Sequence, residues 1–369
     1  MEKDNFKWGN VIKFAGAFVA FLIGAGFATG QEILQYFTSY GYQGFLTAAV
    51  VLIAFIYVGI EFSTTGYREK FHKGSEVFQY YCGKPIGLFY DYFTIAFVFM
   101  SYVVMVAGAG ATFNQHYGIP TYVGGIVMMI LATGTVIFGL GNIVNVIGKI
   151  GPVIVIIALG LGLSAIIMNP EGIGQGAAMI QNNEIELKQA GSNWFMSASS
   201  YIGFCMLWLA AFLTAMGTQA NCRKEAGMGS AIGAVGFVLG CVILMLGLLA
   251  YLPEVAVTQI PSLILAMKIA PALATVFSII IMAGIYTTAV PLLWQASSRF
   301  TEEGTKTFKI VTVALGIIGC FIGLALPFNS LVNIIYVING YVGILLIFFM
   351  IVKTIRRTLA NKKTSTSVK

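Results

Sequence analysis

Three short stretches set polar chemistry inside otherwise apolar sequence. The first is FLIGAGFATGQEI, Phe21–Ile33. It carries the triplet Gly24-Ala25-Gly26, then Thr29, Gly30, Gln31 and Glu32 about two turns further on at ~1.5 Å rise per residue. The second is SASSYIGFC, Ser197–Cys205, and the third is AGIYTTAVP, Ala283–Pro291. Glycine disfavours helix by about 1 kcal/mol relative to alanine, so the triplet is either a break or a close-packing patch. A break exposes N–H groups at a positive dipole end and carbonyls at a negative end, suited to an anionic group and a cation. Thr287 and Thr288 project about 100° apart on a helix and can bracket one small cation, with the Gly284 carbonyl sterically open. The alternative is that both hydroxyls bond back to their own helix. Glu32 is either a functional group of an outer vestibule or a stabiliser bonded to the amides of the break.

The elements that must position these residues are apolar runs. Of 369 residues, 58% are hydrophobic and 9% charged, with a mean hydropathy of +0.87. A soluble domain carries about 25% charged residues. Ten runs approach or exceed the ~20 residues a bilayer crossing needs: Gly9–Phe37, Tyr42–Gly66, Ile86–Asn114, Thr121–Leu140, Ile143–Met168, Asn193–Gly217, Met228–Leu252, Pro271–Arg299, Phe308–Leu326 and Leu331–Val352. The first is too long for a secretory signal. The 43 glycines suit membrane helices whose backbones approach closely. Cys82, Cys205, Cys222, Cys241 and Cys320 form no metal-like spacing, and His72 and His116 lie in different loops, so no zinc site or catalytic triad is expected.

Basic residues set an orientation. With the N-terminus inside, Lys3, Lys7, Lys13, Arg68, Lys70, Lys73, Lys84, Lys149, Arg223, Lys224, Arg299, Lys306, Lys309 and the tail from Lys353 to Lys369 fall inside. Only Lys188 and Lys268 fall outside. This places the protein in the cell membrane with both termini cytoplasmic. The net charge of +7 is inner-leaflet chemistry and calls for a lipid bilayer, not a nucleic-acid partner. The tail reads as a solvated flank with a short disordered end.

The longest outside loop divides the chain into a five-helix repeat at 1–168, a loop at 169–192, a second repeat at 193–352 and a tail at 353–369. Because five is odd, the halves enter from opposite sides, an inverted-repeat plan common among transporters. Breaks are expected in the first and sixth helices. PEVAVTQIPSLILAMKIAPALA holds an apolar stretch too short to span, suited to a lid.

KWGNVIKFAGAFVAFLIGAGFATGQEI, with Trp8 and the glycine triplet, resembles the first helix of LeuT-type amino-acid transporters. YVGIEF with Glu61, and AGIYTTA, resemble that group's second and eighth helices. Over nearly its entire length the chain is most similar to the YkvI family of bacterial membrane proteins in the amino acid–polyamine–organocation superfamily. The resemblance implies an all-α membrane protein of ten helices in a 5+5 inverted repeat. It also implies a secondary active transporter of a small organic solute, an amino acid or related amine, coupled to Na⁺ and without other cofactor.

The resemblance implies an ion site of Ala20 and Ile23 carbonyls, the Gly284 carbonyl, and the Thr287 and Thr288 hydroxyls. The substrate would lie against Gly24, Ala25 and Gly26, opposite Ser200, Tyr201 and Gly203, with Ser101 or Tyr102 from the third helix. An inner gate would join Trp8 and Lys7 to Glu302 and Glu303. Glu32 and Glu61 are coupling or gating candidates, with Glu61 alternatively tying down exposed amides. Asp91 reads as an interfacial anchor or a gate residue, and Tyr201 and Tyr286 as pocket linings or packing.

Two positions depart from the symporter pattern. Phe27 stands where an Asn serves a second sodium site, and Asn5 where an arginine serves the inner gate. The deep residues Val153 to Leu163 carry no lysine of the kind found in proton-coupled relatives, which favours sodium, while Glu32 keeps proton coupling open. A non-transporting sensor on the same fold is the alternative from another class. An enzyme is disfavoured, because no nucleophile–base pair is visible.

Overall fold

The computed structural model describes residues 6–71, 73, 76–138 and 143–366. Lys3, Asn5, His72, Leu140 and the last tail residues lie outside the described residues, as do the side chains of Ala25 and Lys149. Among the described residues the chain is helical and has no strand. Among the described residues eight helices are long and apolar enough to cross a bilayer. They comprise α4 (Gly44–Glu69, with a 3-10 turn Thr38–Gln43 before it), α5 (Glu76–Tyr117), α6 (Thr121–Phe138), α9 (Trp194–Thr218), α10 (Arg223–Ala250), α13 (Pro271–Ser298), α14 (Lys306–Ala325) and α15 (Phe328–Thr366). A ninth candidate is α7 (Ile143–Met168), bent by 93° into α8 (Pro170–Gln181). The bend falls at Asn169, whose side chain accepts from Gly172 N–H and donates to the Ala250 carbonyl, with Pro170 opening the new helix.

The first apolar run is divided. α1 (Trp8–Leu22) has 15 residues and is about 22 Å long, short of the ~30 Å hydrocarbon core. It gives way at Ile23 and Gly24 to α2 (Ala25–Thr29), and Gly30 then turns the chain into α3 (Gln31–Tyr36). Gly30 has φ 79°, a left-handed conformation that favours glycine, and its α-carbon lies against Ser262.

The helices meet where side chains are smallest. Gly66 of α4 sits on the Thr214 carbonyl of α9, and Gly217 of α9 on the Ser63 carbonyl of α4. α9 crosses α15 where Gly203 meets Gly340. α1 lies along α10, and α5 packs on α13, α6 and α14. Apolar side chains such as Phe138, Ile156, Ile167, Phe321 and Phe348 point outward and exposed. That pattern opposes water and suits lipid.

Two expectations change here. α9 runs unbroken from Trp194 to Thr218, so the expected break at Ser197–Cys205 is absent. Its small residues serve packing instead. Ser197 Oγ donates to Tyr36 O at 2.8 Å, Ser199 Oγ to Phe195 O at 2.9 Å, and Gly203 lets α15 approach. The tail, read as a solvated flank with a short disordered end, continues α15 as helix through Thr366. It contains no glycine or proline to stop α15.

Candidate functional site

The division between α1 and α2 leaves backbone groups open. The Gly24 amide donates to Leu22 O at 3.0 Å, so the Ala20 carbonyl loses the donor four residues on. α13 lies beside this point, and a Cβ on Gly24 would meet Thr288 Cγ2 at 3.9 Å. Thr287 and Thr288 both donate to the Gly284 carbonyl, at 2.9 and 3.0 Å. This is the back-bonded arrangement, and it leaves lone pairs on both hydroxyl oxygens. Among the described residues no group of three His, Cys, Asp or Glu converges as metal ligands.

Gly26 and Glu32 meet across the α2–α3 turn. A Cβ on Gly26 would overlap the carboxylate end of Glu32. Glu32 is 3% exposed, and among the described residues no backbone amide reaches its carboxylate. Tyr36, Tyr201, Tyr336, Cys205 and Cys241 lie within electrostatic range of it. Their rings form one cluster. Tyr36 lies 5.1 Å from Tyr201, Tyr201 5.1 Å from Phe204, Phe204 4.9 Å from Tyr336, and Tyr336 5.6 Å from Trp208, centroid to centroid. Tyr36, Tyr336 and Trp208 were not singled out in the sequence. The signal was polar aromatics within apolar runs, but nothing in their spacing says which of them meet.

Other candidates fall elsewhere. Ser101 Oγ donates to Phe97 O at 2.8 Å within its own helix, and Tyr102 reaches toward α14, its hydroxyl 3.5 Å from Gly316 O. Ser200 Oγ turns to Val337 O at 3.4 Å, and Gly203 faces α15. Tyr286 bonds Thr135 of α6 at 2.7 Å. Ser101 thus satisfies its hydroxyl within its own helix, and Tyr102, Ser200, Gly203 and Tyr286 join neighbouring helices.

The expected pairing of Trp8 and Lys7 with Glu302 and Glu303 is also absent. Trp8 is 59% exposed, and the Lys7 amide donates to Glu225 of α10 at 2.5 Å. Asn10 Nδ2 donates to the same carboxylate at 3.1 Å. Glu303 instead accepts from Trp294 Nε1 at 3.0 Å, while Glu302 lies on an exposed turn. Asp91 pairs with Arg299 at 2.8 Å, joining α5 to α13.

Glu61 is 5% exposed and ties no backbone amide. It pairs with Arg357 of the α15 extension at 2.8 Å and accepts from Thr354 at 3.1 Å and Tyr81 at 3.3 Å. Arg357→Ala strips this carboxylate of its counter-charge. Because Arg357 is partly exposed, the expected loss is about 1–3 kcal/mol, below the range for a fully buried pair. Thermal unfolding in detergent checks this, with Glu61→Gln/Arg357→Gln expected to recover part of the loss. An unchanged melting temperature for Arg357→Ala contradicts it.

One end of this centre is covered. Gln115 of α5 accepts from the amides of Gln259 and Ile260 at 3.1 and 2.9 Å. Gln259 accepts from the Phe328 amide of α15 at 2.8 Å. These bonds seat α11 (Leu252–Val255) and α12 (Pro261–Ile269), whose buried Pro261, Ser262 and Leu263 lie over α2 and α3. The expected lid segment is therefore two short helices. Beside them, Lys188 Nζ donates to Ser330 Oγ at 2.5 Å, and the Ala190 amide to Gln35 O at 3.1 Å.

No family model matches the chain. Over 345 residues it is 23% identical to the uncharacterised membrane protein YkvI of Bacillus subtilis, covering 94% of this chain and 96% of that one. A second Bacillus subtilis protein, YyaD, is 27% identical over 148 residues, 40% of this chain and 43% of that one. Among solved structures, MhsT in complex with L-phenylalanine superposes with a TM-score of 0.57 at 16% identity, covering 93% of this chain and 88% of that one. A manganese transporter of Eremococcus coleocola superposes with a TM-score of 0.58 at 12% identity, covering 96% and 80%. The chain is a membrane-protein homologue of YkvI, and its fold is that of solved LeuT-type transporters.

Proposed function

We propose that the protein is a secondary active transporter of a small organic solute, an amino acid or related amine, working by alternating access. The observation that carries this reading is the divided first helix beside α13, on a fold shared with transporters. A divided helix in the protein interior costs backbone hydrogen bonds and is tolerated where it lines a binding site. The reading treats the chain as two inverted five-helix halves, 1–168 and 193–352, joined by a loop at 169–192 and followed by a tail at 353–369. α1 to α4 with α9 and α10 would move against α5, α6, α13 and α14. Both termini would be cytoplasmic in the cell membrane, the side rich in lysine and arginine. The interhelical ties Glu61–Arg357 and Asp91–Arg299 would then lie at the inner side, and the α11–α12 cover at the outer.

The donor set supports sodium coupling. The free Ala20 carbonyl and the Thr288 side chain flank the same interruption, and with the Ile23 and Gly284 carbonyls and Thr287 they offer only oxygens, as a hard cation prefers. A bound sodium ion would supply positive charge between α1 and α13, held by those five residues. Thr287→Ala with Thr288→Ala is expected to abolish Na⁺-dependent thermal stabilisation, since a ligand stabilises only the state that binds it. Stabilisation by NaCl over choline chloride that survives the double substitution rules the site out.

Uptake of labelled amino acids and amines into proteoliposomes, with and without an inward Na⁺ gradient, tests the transport reading. Accumulation above the gradient-free level is expected. Ligand-specific stabilisation without flux would instead identify a sensor on a transporter fold.

A further inference from the structure

Three carboxylates are buried, and two are compensated. Glu61 has Arg357, Thr354 and Tyr81. Glu225 accepts from the Lys7 and Asn221 amides and from Asn10. Glu32 is buried as deeply, yet among the described residues no hydrogen bond or ion pair reaches it. A carboxylate out of water needs a counter-charge or a proton. Among the described residues no buried lysine, arginine or histidine could supply the charge.

Aromatic rings and two thiols, Cys205 and Cys241, stand around Glu32. Tyr36, Tyr201 and Tyr336 stand within electrostatic range of it, and Phe204 and Trp208 complete the ring cluster. Polar atoms of that cluster, the Tyr336 hydroxyl and the Trp208 indole N–H among them, are buried without a hydrogen-bond partner among the described residues. A buried polar atom without a protein partner is left for a water or a ligand atom. A bare metal ion prefers several oxygens, whereas an alkylammonium group is held by one carboxylate and the negative faces of aromatic rings.

We propose that Glu32 is the counter-ion for an organic ammonium group of the solute, caged by Tyr36, Tyr201, Phe204, Tyr336 and Trp208. This rests on reading the same centre as the solute site. The Trp208 N–H would then meet an acceptor oxygen elsewhere on the solute.

The test is calorimetric titration of the full-length protein in detergent with n-butylammonium, phenethylammonium and choline. Each is paired with its neutral counterpart: n-butanol, 2-phenylethanol and 3,3-dimethylbutan-1-ol. At least one ammonium ion is expected to bind at least tenfold tighter than its neutral partner. Glu32→Gln is expected to weaken that binding at least tenfold without lowering the ligand-free melting temperature, and Glu32→Asp to retain part of it. Should Glu32→Gln fail to fold, Tyr336→Leu, which removes one cage ring, is expected to weaken binding several-fold.

No ammonium binding to the wild type overturns the inference, as does equal binding by Glu32→Gln. So does proton-driven uptake of an uncharged solute that Glu32→Gln abolishes while no ammonium ion binds. Glu32-dependent ammonium binding without flux leaves the inference standing and removes the transport reading. Flux of a neutral solute unaffected by Glu32→Gln does the reverse.

Discussion

Gly26→Ala is expected to weaken ammonium binding at least tenfold and to leave the melting temperature nearly unchanged. The new methyl group would occupy the space of the Glu32 carboxylate, and every atom it meets there belongs to the flexible end of that side chain. The fold therefore accommodates the methyl by moving Glu32, and the effect falls on the site. Gly24→Ala is the control. Its nearest neighbour is Thr288 Cγ2 at 3.9 Å, and its φ of −95° is open to any L-residue. Titration of both variants with the same three ammonium ions separates them. Equal affinities in Gly24→Ala and Gly26→Ala would show that the carboxylate does not need its seat on Gly26.

Gly203→Ala has the opposite signature. A Cβ there would overlap the backbone carbonyl of Gly340, and a backbone atom cannot withdraw as a side-chain tip can. α9 and α15 must separate along their crossing. Overpacking of this kind costs about 1–3 kcal/mol, and backbone overlap places the expected loss at about 3 kcal/mol. Thermal unfolding in detergent reads it as a drop of several degrees. Gly160→Ala on α7, with no atom within 4 Å of its added Cβ, is expected to be neutral. If Gly203→Ala were as stable as Gly160→Ala, the crossing would not depend on backbone contact.

These two glycines show where sequence reading stops. Gly26 and Gly203 are both mid-run glycines in stretches rich in small residues, and both were assigned to the solute site. One now abuts the unpaired carboxylate and the other cements two helices. Periodicity and composition report which segments are apolar, since that depends on each residue's own transfer free energy. They do not report which of two glycine roles applies, because the role is set by an atom far away in the chain: Glu32 in one case, Gly340 in the other.

The same division holds for the charges. That Glu61 and Glu32 stand out in apolar sequence was legible, because an ionisable group there is costly wherever it lies. That Glu61 meets Arg357, 296 positions away, while among the described residues no hydrogen bond or ion pair reaches Glu32, required the packed helices. The meeting of Trp208 and Tyr336, whose ring centroids lie 5.6 Å apart, depends likewise on distant segments.

By itself the sequence determined the membrane class, the apolar runs, the choice at the Gly24 triplet between a break and a packing patch, and the short apolar stretch within Pro253–Ala274. Each follows from local hydropathy, glycine content or helix-breaking residues. Tertiary structure alone decided that α9 stays continuous, that the tail helix returns to Glu61, and that Thr288 lies against the interruption of α1. Those outcomes depend on which helices touch, and helix contacts in an apolar medium are chosen by shape and hydrogen bonding between distant segments rather than by the hydropathy of either one.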